Sequence, residues 1–272
     1  MAERHLTFHV PQEAEPSTLI PLLEAVNAEQ AEFDTVASLL DFAQQHGLMS
    51  RAEINSFASD CGLLQKDQVK GIGLSEAALW MLQLKPETRP DVVHYIIYSG
   101  WQAERPLDKT VLWSYRQVVD LLWRQPGADI SKISNVIAEE IRNQIQETFE
   151  SDPSFSPKSI RGVRKWLEAL TPPVIENDIF TRRYFCPPEL ALLALGWVGQ
   201  TLGGEVGIDF LLTLERREAV CRVCLLDPAA LDRVLDWTLP LYPAVVRPGT
   251  GAGVYGRFIR FLKWPELQDL LR

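Results

Sequence analysis

Apolar residues three and four apart define one helical stripe after another along this chain, and glycine or proline stops each stripe within about five turns. The longest runs through Ile130, Ile133, Ile137, Ile141 and Ile145. The longest apolar run, Leu190 to Gly199, is about half the ~20 residues that cross a bilayer and reads as a buried helix. What remains is a stack of short helices around a shared core. With 272 residues, 46% of them hydrophobic and 23% charged, the chain has ample material for that core and is not of disordered composition.

Reading along the chain divides it into four parts. Residues 1–32 form an acidic N-terminal arm carrying Pro11, Pro16 and Pro21, with Leu6 to Val10 a candidate edge strand. Residues 33–111 form a first helical, winged-helix-like module and its connector. In it one helix stops at Gly47, a second is expected to be capped by Ser50 with Glu53 completing a capping box, and a third begins near Ser75. The connector holds an apolar helix over Val92–Tyr98, whose His94 reads as a core histidine rather than a general base.

Residues 112–186 form the second module. A helix ending at Pro126-Gly127 precedes the long isoleucine helix, capped by Asp129 or Ser131, and Ser156-Pro157 opens the next one. That helix has Ile160, Val163, Leu167 and Leu170 on one stripe and Lys158, Arg161, Arg164 and Lys165 on the opposite one. Residues 172–185 read as two short strands around an Asn177-Asp178 turn. Residues 187–272 read as a C-terminal helical region, including a helix over Val254–Lys263 with Arg257 and Arg260 on one side as an extension of a basic surface.

Three helices, the third basic, followed by a hairpin and two arginines resemble the winged helix-turn-helix superfamily over about residues 112–186. The resemblance implies that Lys158, Arg161, Arg164 and Lys165 enter a major groove and that Arg182 and Arg183 act from the wing on the backbone. A long second helix with Glu139, Glu140 and Glu147 departs from that pattern. The expected fold class is therefore mainly α, with tandem helix-turn-helix or winged-helix-like modules, short β-hairpins and a C-terminal helical region.

Motifs for chemistry do not reach sufficiency. Gly251-Ala252-Gly253-Val254-Tyr255-Gly256 matches a dinucleotide-binding loop but lacks the following strand and acid. Cys221-Arg222-Val223-Cys224 has neither a second cysteine pair nor a histidine pair for zinc, and His5 and His9 have no third ligand. Asp91 lacks the acid-x-lysine partner of a metal nuclease, and Asp209 and Glu215 read as polar edges of an apolar segment. No catalytic residue, metal or cofactor is expected.

Charge narrows the partners. The net charge of −9 argues against coating nucleic acid, but ten acids and only two bases fall within the first sixty residues, so the remainder is close to neutral. Four scattered cysteines and a polar start at Met1 lead to the expectation of a cytoplasmic protein with reduced thiols and no membrane partner. The expected function is a non-catalytic adaptor subunit of a larger complex that binds double-stranded DNA and holds a protein partner. Its general appearance suggests bacterial DNA handling or antiviral defence as the setting. Two rivals stand beside it: a pure protein-interaction scaffold, for which the eight tryptophans speak, and an enzyme with a dispersed active site.

Overall fold

The computed structural model of the protein describes residues 6–67, 71–151, 154–249 and 256–271. It is mainly helical, and its strands form three small antiparallel sheets. The chain order is α1 (Pro16–Glu29), α2 (Val36–Gln45), α3 (Ala52–Asp60), β1 (Leu64–Asp67), β2 (Gly71–Leu74), α4 (Glu76–Leu82), α5 (Arg89–Ser99), α6 (Thr110–Trp123), α7 (Ile130–Phe149) and α8 (Pro157–Glu168). It continues with β3 (Ile175–Glu176), β4 (Ile179–Phe180), α9 (Pro188–Thr201), β5 (Asp209–Leu211), α10 (Leu214–Cys224), α11 (Leu231–Thr238), β6 (Val246–Pro248) and β7 (Phe258–Phe261).

One arrangement occurs three times in this order: a helix, an extended residue or short strand, two helices, and a hairpin. In the first instance Phe33, between α1 and α2, pairs with Ile72 in the second hairpin strand, β2. In the next, Asp129, between α6 and α7, pairs with Ile179 in β4. In the last, β5, between α9 and α10, pairs with β7, which also pairs with β6. Each time the extended piece lies against the second hairpin strand, so the sheet order is the same. The region 187–272 is thus not only helical. It contains a three-stranded sheet, because Phe258-Ile259-Arg260-Phe261 alternates with period two and buries Ile259 and Phe261. The helix expected over Val254–Lys263 is corrected accordingly to a strand over Phe258–Phe261, while residues 250–255, with most of the glycine-rich motif, lie outside the described residues.

The N-terminal arm also differs from expectation. Pro16 occupies the first turn of α1, where its missing N–H costs nothing, and Pro21 removes only one later backbone bond. Burial of Leu19, Leu22, Leu23 and Val26, each contributing roughly 1.5–3 kcal/mol, outweighs that loss. Ser50 does not cap α3. Arg51 stands at the N-cap without a side-chain bond, and the Ser50 hydroxyl is buried without a partner. The polar stretch after α3 is the β1–β2 hairpin. Elsewhere the expected punctuation holds: Asp129 accepts from the Ser131 N–H at the start of α7, and Asn177 and Asp178 both adopt positive φ at the tip of the β3–β4 hairpin.

Residues 6–15 do not pair as a strand, although their side chains alternate, with Phe8 and Val10 fully buried. Phe8 packs on Trp113 of α6 and Phe149 of α7. The backbone then lies against α8: Trp166 Nε1–H donates to the Ala14 carbonyl at 2.9 Å, His9 Nδ1 meets the Ser159 hydroxyl at 2.7 Å, and Lys165 pairs with Glu15 at 3.1 Å. Gly162 permits this approach, since a Cβ there would sit 2.6 Å from the Val10 carbonyl oxygen. Gly162→Leu is therefore expected to force the segment off α8 at a cost of about 1–3 kcal/mol. A lowered melting temperature together with new proteolytic cleavage before Pro16 checks this, and unchanged cleavage would refute it.

Candidate nucleic-acid interface

The candidate interface is the outer side of α8 with the adjoining start of α7. Along α8, Ile160, Val163, Trp166 and Leu167 face the core, and Lys158, Arg161 and Lys165 are exposed on the other side, with Arg164 half-buried. The four cations are not equivalent. Arg164 Nε donates to Glu168 at 2.6 Å, and its guanidinium also pairs with Asp178 at the hairpin tip. Lys165 is engaged by Glu15. Lys158 and Arg161 have no acidic partner among the described residues, and they are the cations available to an outside anion.

Beside them the first turns of α7 contribute Ser131, Ser134 and Asn135. With Ile130, Pro157, Arg161 and Arg164, these line a cleft of about 290 Å³ between α7 and α8. The Ser134 hydroxyl donates to the Ile130 carbonyl at 2.5 Å, while Asp129 holds the helix start and pairs with Lys132 at 2.8 Å. Hydrogen bonds from Lys132 and Ser131 hold the Asp129 carboxyl down at about 2. The Ser131 hydroxyl and N–H both donate to Asp129, so the groups this cleft offers to a phosphate oxygen are the Asn135 amide and the Arg161 guanidinium. The cap residues were visible in the sequence. Their placement opposite Arg161 was not, since it depends on how α7 and α8 cross.

The other expected contacts are not brought to this face. Arg183 is buried at 4% exposure: its Nε donates to the Cys224 carbonyl at 2.8 Å, Nη1 donates to Thr171 O at 3.0 Å, and Nη2 lies 2.8 Å from Asp91 Oδ1. Its expected wing role is therefore corrected to a core ion pair. Arg182 lies after the hairpin, stacked 4.1 Å over the Trp123 ring and donating to its carbonyl at 2.9 Å. The hairpin presents Glu176 and Asp178 instead of cations. Arg257 pairs with Asp236 at 2.8 Å and lies 3.7 Å from Asp232, and Arg260 pairs with Asp209 at 2.9 Å from the strand β7. These two do not extend a free basic stripe.

The helices that correspond to α8 in the other two repeats are unlike it. The exposed side of α3 carries Glu53 and Ser56, and that of α11 carries Asp232, Arg233, Asp236 and Trp237. Among the described residues no group of three or more His, Cys, Asp or Glu could hold a metal ion. Cys186, Cys221 and Cys224 are free and buried, and burial pushes the Cys221 thiol up to about 12 and that of Cys224 well above the ordinary range. No helix among the described residues is long and apolar enough to cross a membrane. Comparison with protein families, curated proteins and solved structures finds no match to this chain.

Proposed function

We propose that the protein is a non-catalytic adaptor built of three winged-helix-like repeats, of which the middle one contacts the backbone of double-stranded DNA. The observation that carries this reading is the cleft between α7 and α8, where the exposed Asn135 amide shares a wall with Arg161, and neither Arg161 nor Lys158 on the same helix has an acidic partner among the described residues. An α8 of 12 residues is about 18 Å long, which suits a groove about 12 Å wide. The acidic α3 and α11 favour protein partners over DNA and discourage nonspecific coating.

Fluorescence anisotropy of labelled duplex at two salt concentrations tests the reading. With only a few phosphate contacts, the slope of log affinity against log salt is expected near −2 to −4. Lys158→Glu with Arg161→Glu is expected to weaken binding at least ~10-fold, because each reversal replaces attraction with repulsion at a phosphate. Binding unaffected by the double reversal, or none at low salt, refutes it.

A second reading, a protein scaffold without nucleic-acid contact, is favoured by Trp237 and Tyr184, which are 53% and 65% exposed, with Phe185 packed 5.8 Å from Trp237. Absence of duplex binding in the same titration would leave that reading in place.

A further inference from the structure

A cleft of about 820 Å³ lies away from α8, where the end of α5 and the 100–109 segment meet α6, α9 and α10. This size is that of a small-molecule site, and the cleft lies where the second and third repeats meet. Its wall combines the aromatic rings of Tyr98, Trp101 and Trp197 with the guanidinium groups of Arg116 and Arg222.

Arg116 is the unusual member. Its guanidinium carbon stands 4.9 Å from the centre of the Trp197 ring and 5.4 Å from that of Tyr98. Two aromatic faces thus hold a half-buried cation that has no carboxylate or carbonyl partner among the described residues. By contrast, Arg89, Arg164, Arg183, Arg216 and Arg217 all donate to oxygen atoms of the protein. The Nε atoms of both Arg116 and Arg222 are shielded from water and have no hydrogen-bond partner among the described residues, and Arg222 Nη2 lies 3.8 Å from Glu218. Buried N–H donors are ordinarily satisfied, so two guanidinium groups lining one cleft with so few protein partners leave hydrogen-bonding capacity in its wall.

We infer that this cleft binds a nucleoside monophosphate, with Arg116 and Arg222 on the phosphate and the indole rings of Trp101 and Trp197 against the base. Planar guanidinium groups suit a phosphate's oxygen pair, and indole faces stack on any base. Glu104 and Glu215, both exposed in the same wall, accept from hydroxyl or amino groups that a bare phosphate lacks, and their negative charge disfavours a triphosphate.

Calorimetric titration of the full chain with AMP, CMP, adenosine and inorganic phosphate is the test, with tryptophan fluorescence read in parallel. AMP or CMP is expected to bind and quench fluorescence, adenosine and phosphate to bind at least ~10-fold more weakly, and Arg222→Gln to lower nucleotide affinity at least ~10-fold. Arg116→Gln is expected to do the same in a chain that still melts cooperatively; if that variant does not fold, Arg222→Gln decides. The Lys158→Glu/Arg161→Glu protein is expected to bind AMP unchanged. No heat with either nucleotide at ~1 mM, affinity for phosphate equal to that for AMP, or loss of binding in the α8 reversal overturns the assignment.

Discussion

Arg183→Ala is expected to destabilise the protein by about 3–5 kcal/mol, the range seen when one partner of a buried ion pair is removed. The side chains of Arg183 and Asp91 are 1% and 0% exposed, so truncation leaves a carboxylate in the core with no cation. It also strands the carbonyls of Cys224 and Thr171, which the guanidinium now satisfies. Because Asp91 opens α5, Thr171 follows α8, and Cys224 ends α10, the pair joins the connector helix to two repeats. At ~2–4 °C per kcal/mol for a chain near this size, the melting temperature should fall on the order of 10 °C. A fall of less than ~2 °C would contradict it.

The pair itself is a costly way to fill that space. Burial pushes the Asp91 carboxyl above its ordinary range even with Arg183 against it, and Thr171 N–H as a further donor does not reverse the direction. A carboxyl whose native affinity for protons exceeds its unfolded one contributes most below its unfolded pKa and loses that contribution as pH rises through the native value. Ionising Asp91 in the core is thus unfavourable. The double variant Asp91→Leu with Arg183→Met is therefore expected to recover much of the loss of Arg183→Ala, because it removes both charges together.

That junction also shows how far the sequence could be read. Helical period and stop signals located α2–α9, and Asn177-Asp178 located a hairpin, because these signals act within a few residues. The three-fold repetition was hidden for the opposite reason. It rests on the pairs Phe33–Ile72, Asp129–Ile179 and β5–β7, which join residues 39, 50 and about 50 positions apart, and two of them are single bridges with no strand pattern of their own. The basic stripe of α8 was legible as a stripe. That Arg164 and Lys165 are neutralised depends on Asp178 and Glu15, which reach α8 from a hairpin and from the N-terminal segment. Arg183 was misread because a charged residue beside a hairpin is usually solvated, and its acid partner lies 92 positions earlier.

Acid should unfold the protein through His94. Its ring is fully buried, with Nδ1 2.7 Å from the Tyr115 hydroxyl and Nε2 2.8 Å from the Val223 carbonyl oxygen. The carbonyl only accepts, so Nε2 carries the proton and the Tyr115 O–H donates to Nδ1. The neutral ring is then satisfied on both sides, and a second proton would displace the Tyr115 hydrogen bond. Burial pushes the imidazole down to about 3, with a further contribution from the nearby Arg183 charge, against the Val223 hydrogen bond. The unfolded chain, with an ordinary imidazole near 6.5, binds the proton first, so stability is lost as pH falls from about 6.5 toward 3. The loss is about 2 kcal/mol by pH 5 and approaches 5 kcal/mol at the acid end. Denaturant titrations at pH 7 and pH 5 on the parent chain and on His94→Gln isolate this group, since every other titrating residue is shared and cancels in the difference. The parent should lose about 2 kcal/mol more than the variant over that interval. Parallel losses would show that the proton goes elsewhere, and that the Tyr115–His94–Val223 bridge between α5, α6 and α10 does not govern the acid limit of the fold.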